Sequence, residues 1–549
     1  MLNLLHTFLN FIELNNSLNI DKVLLNNHKV KNKLNLDENL KLFLKNNKSI
    51  GSKDRKLFSN IFYTYYKEFK FIEYLANNTV NTLIKNETQK SLLLSDNQDQ
   101  NRNLHLFLKF YLSIYFLNVK SNEIQELEIK YDFFELKKYY KLILSKVLNL
   151  EDELIYYILD SLEFIITKSI DDLEYRIETI GKINIITIDD FNTYIELLSI
   201  KYSFLDFNII ELIKSILNVN NLEEILTTLN NYDKKELIVL NEFINSNLSN
   251  LNSRANLFIR VIQNENLILA ELDKSNIKYK KTLLPNAIQI ENNSSLSNLD
   301  SFKNGLFEIQ DLSSQLIFQF VKSFFIEKQS EDYNFNILDY CAGGGGKSLL
   351  FADELNLLNI FYNIIATDNN SKRLIGLKER LNKNVKINRN IKVINNEDFN
   401  NKRNTFKDKF DLIIIDAPCS GFGTVKRSPD NKYKYSLNDL NEFSNLQQNI
   451  IEECFPLLNT SGIIIYITCS LNYMENSNNL KEIEKKHKTK QNIKFLDIFT
   501  HSSELIKNQK DIMLFEDLQS NTKNNNGLTI YPIHFESDGF FVTLIQKIK

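Results

Sequence analysis

Asp411-Leu-Ile-Ile-Ile-Asp416-Ala-Pro418-Cys419-Ser420-Gly421 and Gly462-Ile-Ile-Ile-Tyr-Ile-Thr468-Cys469-Ser470 are two versions of one unit. Each is an isoleucine-rich run too short for a helix and bounded by turn-forming residues. Such runs read as strands buried on both faces, the pattern of a parallel sheet. Each ends in a cysteine where the chain leaves the sheet. Ligands of an open α/β sheet gather outside the carboxyl ends of its strands. Both thiols are therefore expected in one cleft.

The surrounding chain alternates in the same way. Ile337–Tyr340 reads as a first strand, followed by a glycine loop and a helix over Ser348–Leu357. Asn363–Asp368 is a second strand with a helix over Lys372–Leu381, and Ile391–Ile394 a third. Leu412–Asp416 is the fourth, with a long helix over Leu437–Leu458. Ile463–Ile467 is the fifth, with a helix over Tyr473–Lys486, and Phe540–Ile545 a last strand. This alternation predicts a doubly wound, Rossmann-like α/β domain over 305–549.

The front of the chain differs. Of 13 glycines, Gly51 and Gly181 alone precede residue 300. Apolar residues recur at three- and four-residue spacing, as in Phe107–Tyr115, which predicts an all-helical domain over 1–250. Gly51-Ser-Lys53-Asp54-Arg55 opens a helix through Phe58, Ile61, Phe62 and Tyr65. Its residues suit a helix cap or a contact to RNA phosphate. Polar Asn86–Asn103 reads as a loop. Arg254–Arg260 (strand), Ile262–Ser275 (helix) and Ala287–Ile290 (strand) predict a small α+β module over 251–304, closed by a Ser/Asn-rich link near Asn292–Ser301.

A chain of 549 residues exceeds one hydrophobic core, consistent with about two to four domains. The 66 basic and 69 acidic residues nearly cancel, so any nucleic-acid surface must be local. No apolar run is long enough to span a bilayer, and the N-terminus lacks the features of a signal peptide. Cys341, Cys419, Cys454 and Cys469 all lie in the last part of the chain, with Cys454 inside a helix as a core residue. That distribution suits a reducing cytoplasm rather than a disulfide framework, and a zinc site is not expected. The lysines of Lys481–Lys494 are mixed with Glu482 and Glu484 and read as a solvated helix face or an RNA contact.

The first strand runs into Asp339-Tyr-Cys341-Ala342-Gly343-Gly344-Gly345-Gly346-Lys347-Ser348. Glycines let a ligand approach the backbone, and the following helix offers free N–H groups. Gly346-Lys347-Ser348 imitates the end of a phosphate-binding loop, with Asp416 as a magnesium-binding strand end. That motif needs glycine where Cys341 stands, and the dinucleotide fingerprint needs glycine where Ser348 stands. A loop for the amino-acid end of S-adenosylmethionine fits better. Asp368 then faces the ribose hydroxyls, and Glu397-Asp398 lies near the adenine. A nucleoside triphosphate remains the alternative.

These motifs, in this order, resemble the RsmB/Sun family of S-adenosylmethionine-dependent RNA cytosine-C5 methyltransferases over most of Arg254–Lys549. Gln310-Asp311-x-Ser313-Ser314-Gln315 is similar to the family's opening motif. Cys341–Lys347 resembles its cofactor loop, whose commoner form has Ala and Pro at the places of Gly343 and Gly344. Asp368, Asp398 and Asp416 stand at its other cofactor positions. Asp416-Ala-Pro-Cys419-Ser-Gly, Lys426-Arg427-x-Pro429-Asp430, Thr468-Cys469-Ser470 and Glu475-Asn476 complete the match. The front helices resemble, more loosely, the family's NusB-like RNA-binding domain, although 75–200 is longer than usual. The resemblance implies a monomeric enzyme acting on small-subunit (16S-type) ribosomal RNA, with transfer RNA as the alternative.

Cytosine C5 is a weak nucleophile, and thiolate attack at C6 activates it. The resemblance assigns that attack to Cys469 and release of the methylated base to Cys419. A helix starting near Tyr473 would favour the Cys469 thiolate through its dipole. DNA cytosine methyltransferases use the Pro-Cys after strand four instead, so the residues alone leave the two roles exchangeable. Asp416 is suited to bond N3 and the exocyclic amine of the base. Lys347 suits support of the loop and its carboxylates, or direct catalysis. Lys426 and Arg427 suit a phosphate clamp or pairing with Asp430. The target base has to leave its stack to reach such a cleft.

Overall fold

The computed structural model describes residues 70–77, 108, 112, 168–177, 188–291, 296–330, 333–383, 389–488, 492–498 and 527–548. The readings at Gly51–Tyr65 and Asn86–Asn103 lie outside these residues. The described backbone forms two compact units. One comprises the described residues within 1–210, 222–252 and 428–436; the other comprises those within 211–221, 253–427 and 437–549.

The described parts of the first unit are helical. Ile188–Tyr202 and Lys234–Asn252 pack together. Apolar residues recur three and four apart, so Phe191, Ile195 and Leu198 turn inward from one helix and Ile244, Leu248 and Leu251 from the other. Polar pairs lock the register. The Tyr194 hydroxyl donates to Asn241 (2.5 Å), the Tyr202 hydroxyl to Asn245 (2.8 Å), and the Asn252 amide to the Tyr202 carbonyl (2.9 Å). No helix among the described residues is long and apolar enough to cross a membrane.

The second unit holds two sheets. The smaller contains β1 (Leu257–Val261), β2 (Tyr279–Lys281), β3 (Ala287–Ile290) and β4 (Phe307–Ile309) in the antiparallel order β2-β3-β1-β4. Helix α1 (Glu265–Lys274) covers one face with Ile268 and Leu272, against Ile259, Ile288 and Phe307. The sheet runs past the expected boundary at 304, because β4 supplies an edge partner for Ile259–Val261.

The larger sheet has eight strands in the order β10-β12-β9-β8-β5-β6-β7, with β11 also paired to β12. Its parallel strands are β5 (Asn334–Asp339), β6 (Phe361–Ala366), β7 (Ile391–Val393), β8 (Phe410–Asp416) and β9 (Leu458–Thr468). Helices α2 (Gly346–Leu357), α3 (Ser371–Lys383), α4 (Asn396–Asn401), α5 (Leu437–Cys454) and α6 (Ser477–Lys488) connect or follow them. This is a Rossmann-like α/β fold, with the strand order reversing between β5 and β8. Strands β10 (Ile493–Leu496), β11 (Leu528–Ile530) and β12 (Phe540–Lys547) make the far edge antiparallel. The sequence pattern did not announce that edge, since direction follows from the path of the connections.

Two element ends also move. Helix α5 stops at Cys454 rather than Leu458, because Pro456 cannot continue it, and Cys454 is fully buried. The helix expected from Tyr473 is a three-residue 3-10 turn, Tyr473–Glu475, and α6 starts at Ser477.

A buried ion network ties the two sheets together. Arg260 on β1 donates Nη1 to Asp353 of α2 (2.7 Å) and Nε to Gln310 (2.8 Å). Arg389, before β7, donates Nε to the other Asp353 oxygen (2.6 Å). Arg260 and Asp353 are 2% and 5% exposed, so neither charge has water to fall back on. Removing one partner from such a network is far costlier than replacing the whole set. Asp353→Ala is expected to destabilise the chain by about 3–5 kcal/mol in urea unfolding. A loss below about 1 kcal/mol would show that the network is dispensable.

Candidate active site

The site is built on the register of β8 with β9. Asp416 lies opposite Ile467, so both strands leave the sheet at the same level. The Cys419 and Cys469 sulfurs end 3.3 Å apart. Both residues are half-buried. A hydrogen bond with Cys469, and then burial, push the Cys419 thiol well above the usual thiol range.

Below the thiols lies one carboxylate. Glu475, fully buried, accepts from the Ser420 amide (2.8 Å), the Ser420 hydroxyl (2.5 Å), the Ser470 hydroxyl (2.5 Å) and the Asn472 amide group (3.1 Å). Ser420 follows Cys419 and Ser470 follows Cys469, so a single side chain clasps both cysteine turns. Asn476 secures the second turn, accepting from the Thr468 hydroxyl (2.6 Å) and donating to the Ser470 carbonyl (2.9 Å). These bonds hold Tyr473–Asn476 in a tight turn and explain why the expected helix does not start there. The dipole argument for Cys469 therefore fails: the field of a helix fades beyond its first turn, and α6 begins eight residues later. Glu475 and Asn476 were visible in the sequence as a motif, without any signal of this task.

The glycine loop follows β5. The Ala342 amide donates to the Thr367 carbonyl (3.0 Å), the Gly343 amide to the Asp368 carboxylate (2.8 Å) and the Gly345 amide to the Ala342 carbonyl (2.8 Å). Gly343 and Gly345 have φ of +53° and +81°, which other residues rarely adopt. A Cβ on Gly345 would stand 2.2 Å from Leu377. Cys341 and Gly346 bracket the loop, and Cys341 packs half-buried against the core. Asp398 lies in the first turn of α4, where its amide donates to the capping Asn395 side chain (2.8 Å). With Ser371, Leu374 and Ile394 it lines a pocket of about 380 Å³. Asn396 donates to Asn369 (3.2 Å), joining this loop to the residue after Asp368.

Lys347 is buried and donates to Ser314 (2.7 Å) and Asp416 (3.2 Å), with its ammonium 5.2 Å above the Phe540 ring. It thus lies against the Asp416 carboxylate and the segment after β4. Ser348 is fully buried and donates to Asp339 (2.5 Å). Among the described residues, no group of three or more His, Cys, Asp or Glu is arranged to hold a metal ion.

Lys426 and Arg427 are already engaged. Arg427 donates to Asp538 (2.7 Å), to Asp311 (2.7 Å) and to the Asn256 carbonyl (3.1 Å). Asp538 and Asp311 are thus carboxylate partners of Arg427 that its sequence neighbourhood did not announce. Lys426 donates to the Glu536 carbonyl (3.3 Å), and burial pushes its ammonium down to about 8. Both side chains brace the loop beside Cys419, where Gly423 passes so close to Gly539 that a Cβ would stand 2.0 Å from its carbonyl oxygen.

Two stability effects follow. Glu475→Ala leaves the Ser420 and Ser470 groups without their acceptor and is expected to cost about 3 kcal/mol in urea unfolding; a neutral result would remove the clasp from the account. Asp339 is fully buried, and burial pushes its carboxyl up to about 7, with the Asp416 charge adding to the rise. The folded chain then holds this proton more tightly than the unfolded one. Its stabilising contribution is complete below about pH 4 and is lost as the pH rises to about 7. Asp339→Asn is expected to flatten the fall in stability across that window by an amount on the order of 3 kcal/mol. Parallel pH profiles for variant and wild type would contradict it.

Residues 324–546 match the family model of 16S rRNA methyltransferase RsmB/F. Ribosomal RNA small subunit methyltransferase B of Shewanella oneidensis is 30% identical over 217 residues, 40% of this chain and 47% of that protein. The probable ribosomal RNA small subunit methyltransferase B of Bacillus subtilis is 27% identical over 252 residues, 45% of this chain and 49% of that protein. Ribosomal RNA small subunit methyltransferase F of Psychromonas ingrahamii is 30% identical over 258 residues, 46% and 48% of the two chains. The chain thus spans about half the length of these curated relatives. The crystal structure of PH0851 shares the fold, with a TM-score of 0.53 at 17% identity over 92% of this chain and 93% of that one. Over residues 324–546 the chain is therefore similar to the RsmB/F methyltransferase family.

Proposed function

We propose that the chain is an S-adenosylmethionine-dependent RNA cytosine-C5 methyltransferase acting on small-subunit ribosomal RNA. The observation that carries this reading is the pair of sulfurs 3.3 Å apart at the ends of β8 and β9, beside Asp416. The family match and the names of the relatives support the substrate class.

The residues fit the methyl donor. A loop with positive φ at Gly343 and Gly345 leaves backbone approachable, and Asp368, Asp398 and Asp416 are spread along the same strand ends. Cys341, Ala342, Gly343, Gly344, Gly345, Gly346 and Lys347 would hold the amino-acid end, Asp368 the ribose and Asp398 the adenine. When bound, S-adenosylmethionine supplies the methyl group that C5 accepts.

The chain's own groups perform the rest. Cys469 attacks C6 as a thiolate, which turns C5 into an enamine-like carbon. Asp416, held by Lys347, bonds the N3 and amine edge of the base. After methylation the C5 proton passes to water, its bonding pair re-forms the C5–C6 double bond, and the sulfur–C6 bond breaks with its electrons leaving on the Cys469 thiolate. Cys419, in contact with Cys469, assists that release. The helical front domain and the small α+β module provide the RNA docking surface.

The test uses methyl-labelled S-adenosylmethionine with undermethylated small-subunit ribosomal RNA and, separately, transfer RNA. The expected result is label at cytosine C5 of the ribosomal RNA. Cys469→Ala is expected to reduce transfer by at least about 10³-fold. Cys419→Ala is expected to accumulate a covalent protein–RNA adduct on denaturing gels. Full activity of Cys469→Ala would overturn the assignment of roles, and transfer to transfer RNA alone would overturn the substrate.

A further inference from the structure

The glycine loop is short of internal restraint. Four consecutive glycines carry more backbone freedom than any other sequence, and ordering them for a ligand is entropically costly. Gly343 and Gly345 are tied at their amides by Asp368 and Ala342. The remaining restraints come from outside the loop, through its carbonyls. Arg380 of α3 donates Nη1 to the Gly344 carbonyl (2.6 Å). The same guanidinium donates Nε and Nη2 to Glu308 of β4 (3.2 and 3.0 Å). Two residues further on, Gln310 donates to the Gly346 carbonyl (3.1 Å) and accepts from Arg260 of β1. The small sheet therefore reaches the loop at two successive points. Glu308 and Gln310 are 9% and 8% exposed, so the acceptor and the amide that aim these contacts are buried, while the Arg380 bond to Gly344 lies at the surface.

We propose that Arg380, set by Glu308, is a positioning residue for the methyl-donor loop, so that the small α+β module preorganises the donor site as well as any RNA surface. The proposal rests on the reading of this loop as the S-adenosylmethionine site. Arg380 acts on the loop's conformation and touches neither reacting atom. Its loss lowers the fraction of loops in the binding-competent form, and donor affinity falls by that fraction. The cycle of charges accounts for the pairing: without Glu308, the guanidinium keeps one hydrogen bond and loses the fork that aims it.

The test is calorimetric titration of the full chain with S-adenosylmethionine, together with KM for the donor and kcat at saturating donor. Arg380→Ala and Glu308→Gln are each expected to weaken donor binding by about tenfold. KM for the donor should rise in parallel, while kcat changes by less than about twofold. The double variant is expected to be no worse than Arg380→Ala alone, since both act through one contact.

A rescue separates positioning from general damage. Gly344 lies outside the positive-φ region, and a Cβ there meets nothing nearer than Arg380 at 4.0 Å. Gly344→Ala narrows the backbone's freedom. Combined with Arg380→Ala, it is expected to recover about threefold of the lost affinity. Unchanged donor affinity in Arg380→Ala, or a drop in kcat without a change in affinity, would overturn the proposal. Absence of recovery in the double variant would overturn it as well. Failure of the wild type to bind the donor would instead overturn the methyl-donor reading, and the proposal with it.

Discussion

The parallel pairing of β8 with β9 is the constraint on which the site depends. Hydrogen bonding across a parallel pair aligns the strand ends, and here Asp416 stands opposite Ile467. Whatever follows those ends starts from a common level, so the two cysteine turns meet. Pairing brings them close but does not set their separation. That is done by Glu475, which takes hydrogen bonds from the residue after each cysteine. A buried carboxylate is tolerated because its oxygens are so fully supplied with donors.

The same economy governs the other charges of this unit. Asp353 is shared by Arg260 and Arg389, Asp416 faces Lys347, and Arg427 is divided between Asp311 and Asp538. Few of these charges are spent on solvent. They fasten loops that carry little hydrophobic surface of their own. The loop over 421–427 is an example, since its glycines allow close approach and its cations lock the result. Lys426 and Arg427 look like an RNA clamp in the sequence, but in the fold each already has internal partners.

The two ends of the molecule's chemistry are supported differently. The thiols are held from below by Glu475 and Asn476, which follow Cys469 closely in the chain, and Glu475 reaches the Cys419 turn from 55 residues away. The glycine loop is held from the side by Arg380 and Gln310, which belong to other elements. A loop of glycines gains access to its ligand at the expense of rigidity, so the rigidity has to be imported. The small sheet supplies it, while the Arg260–Asp353–Arg389 network keeps that sheet attached to α2.

Much of this was legible in the sequence. Isoleucine runs ending in Asp416 and Thr468, and the glycine run after Asp339, identified buried strands and the groups at their ends, because burial and turn formation are written in neighbouring residues. The parallel core and the meeting of the thiols followed from those local signals and one rule of topology. Other features depended on partners far away in the chain. The antiparallel edge formed by β12 has no local mark that separates it from another parallel strand. Arg427 finds Asp538 and Asp311 across separations of 111 and 116 residues. Glu475 prevents a helix at Tyr473 by bonding Ser420, 55 residues earlier. The sequence by itself determined which segments are strands and which groups stand at their ends, since those depend on side-chain type and spacing. Only the tertiary structure decided how the charged groups pair, because pairing depends on which surfaces the packed sheet brings within hydrogen-bond reach.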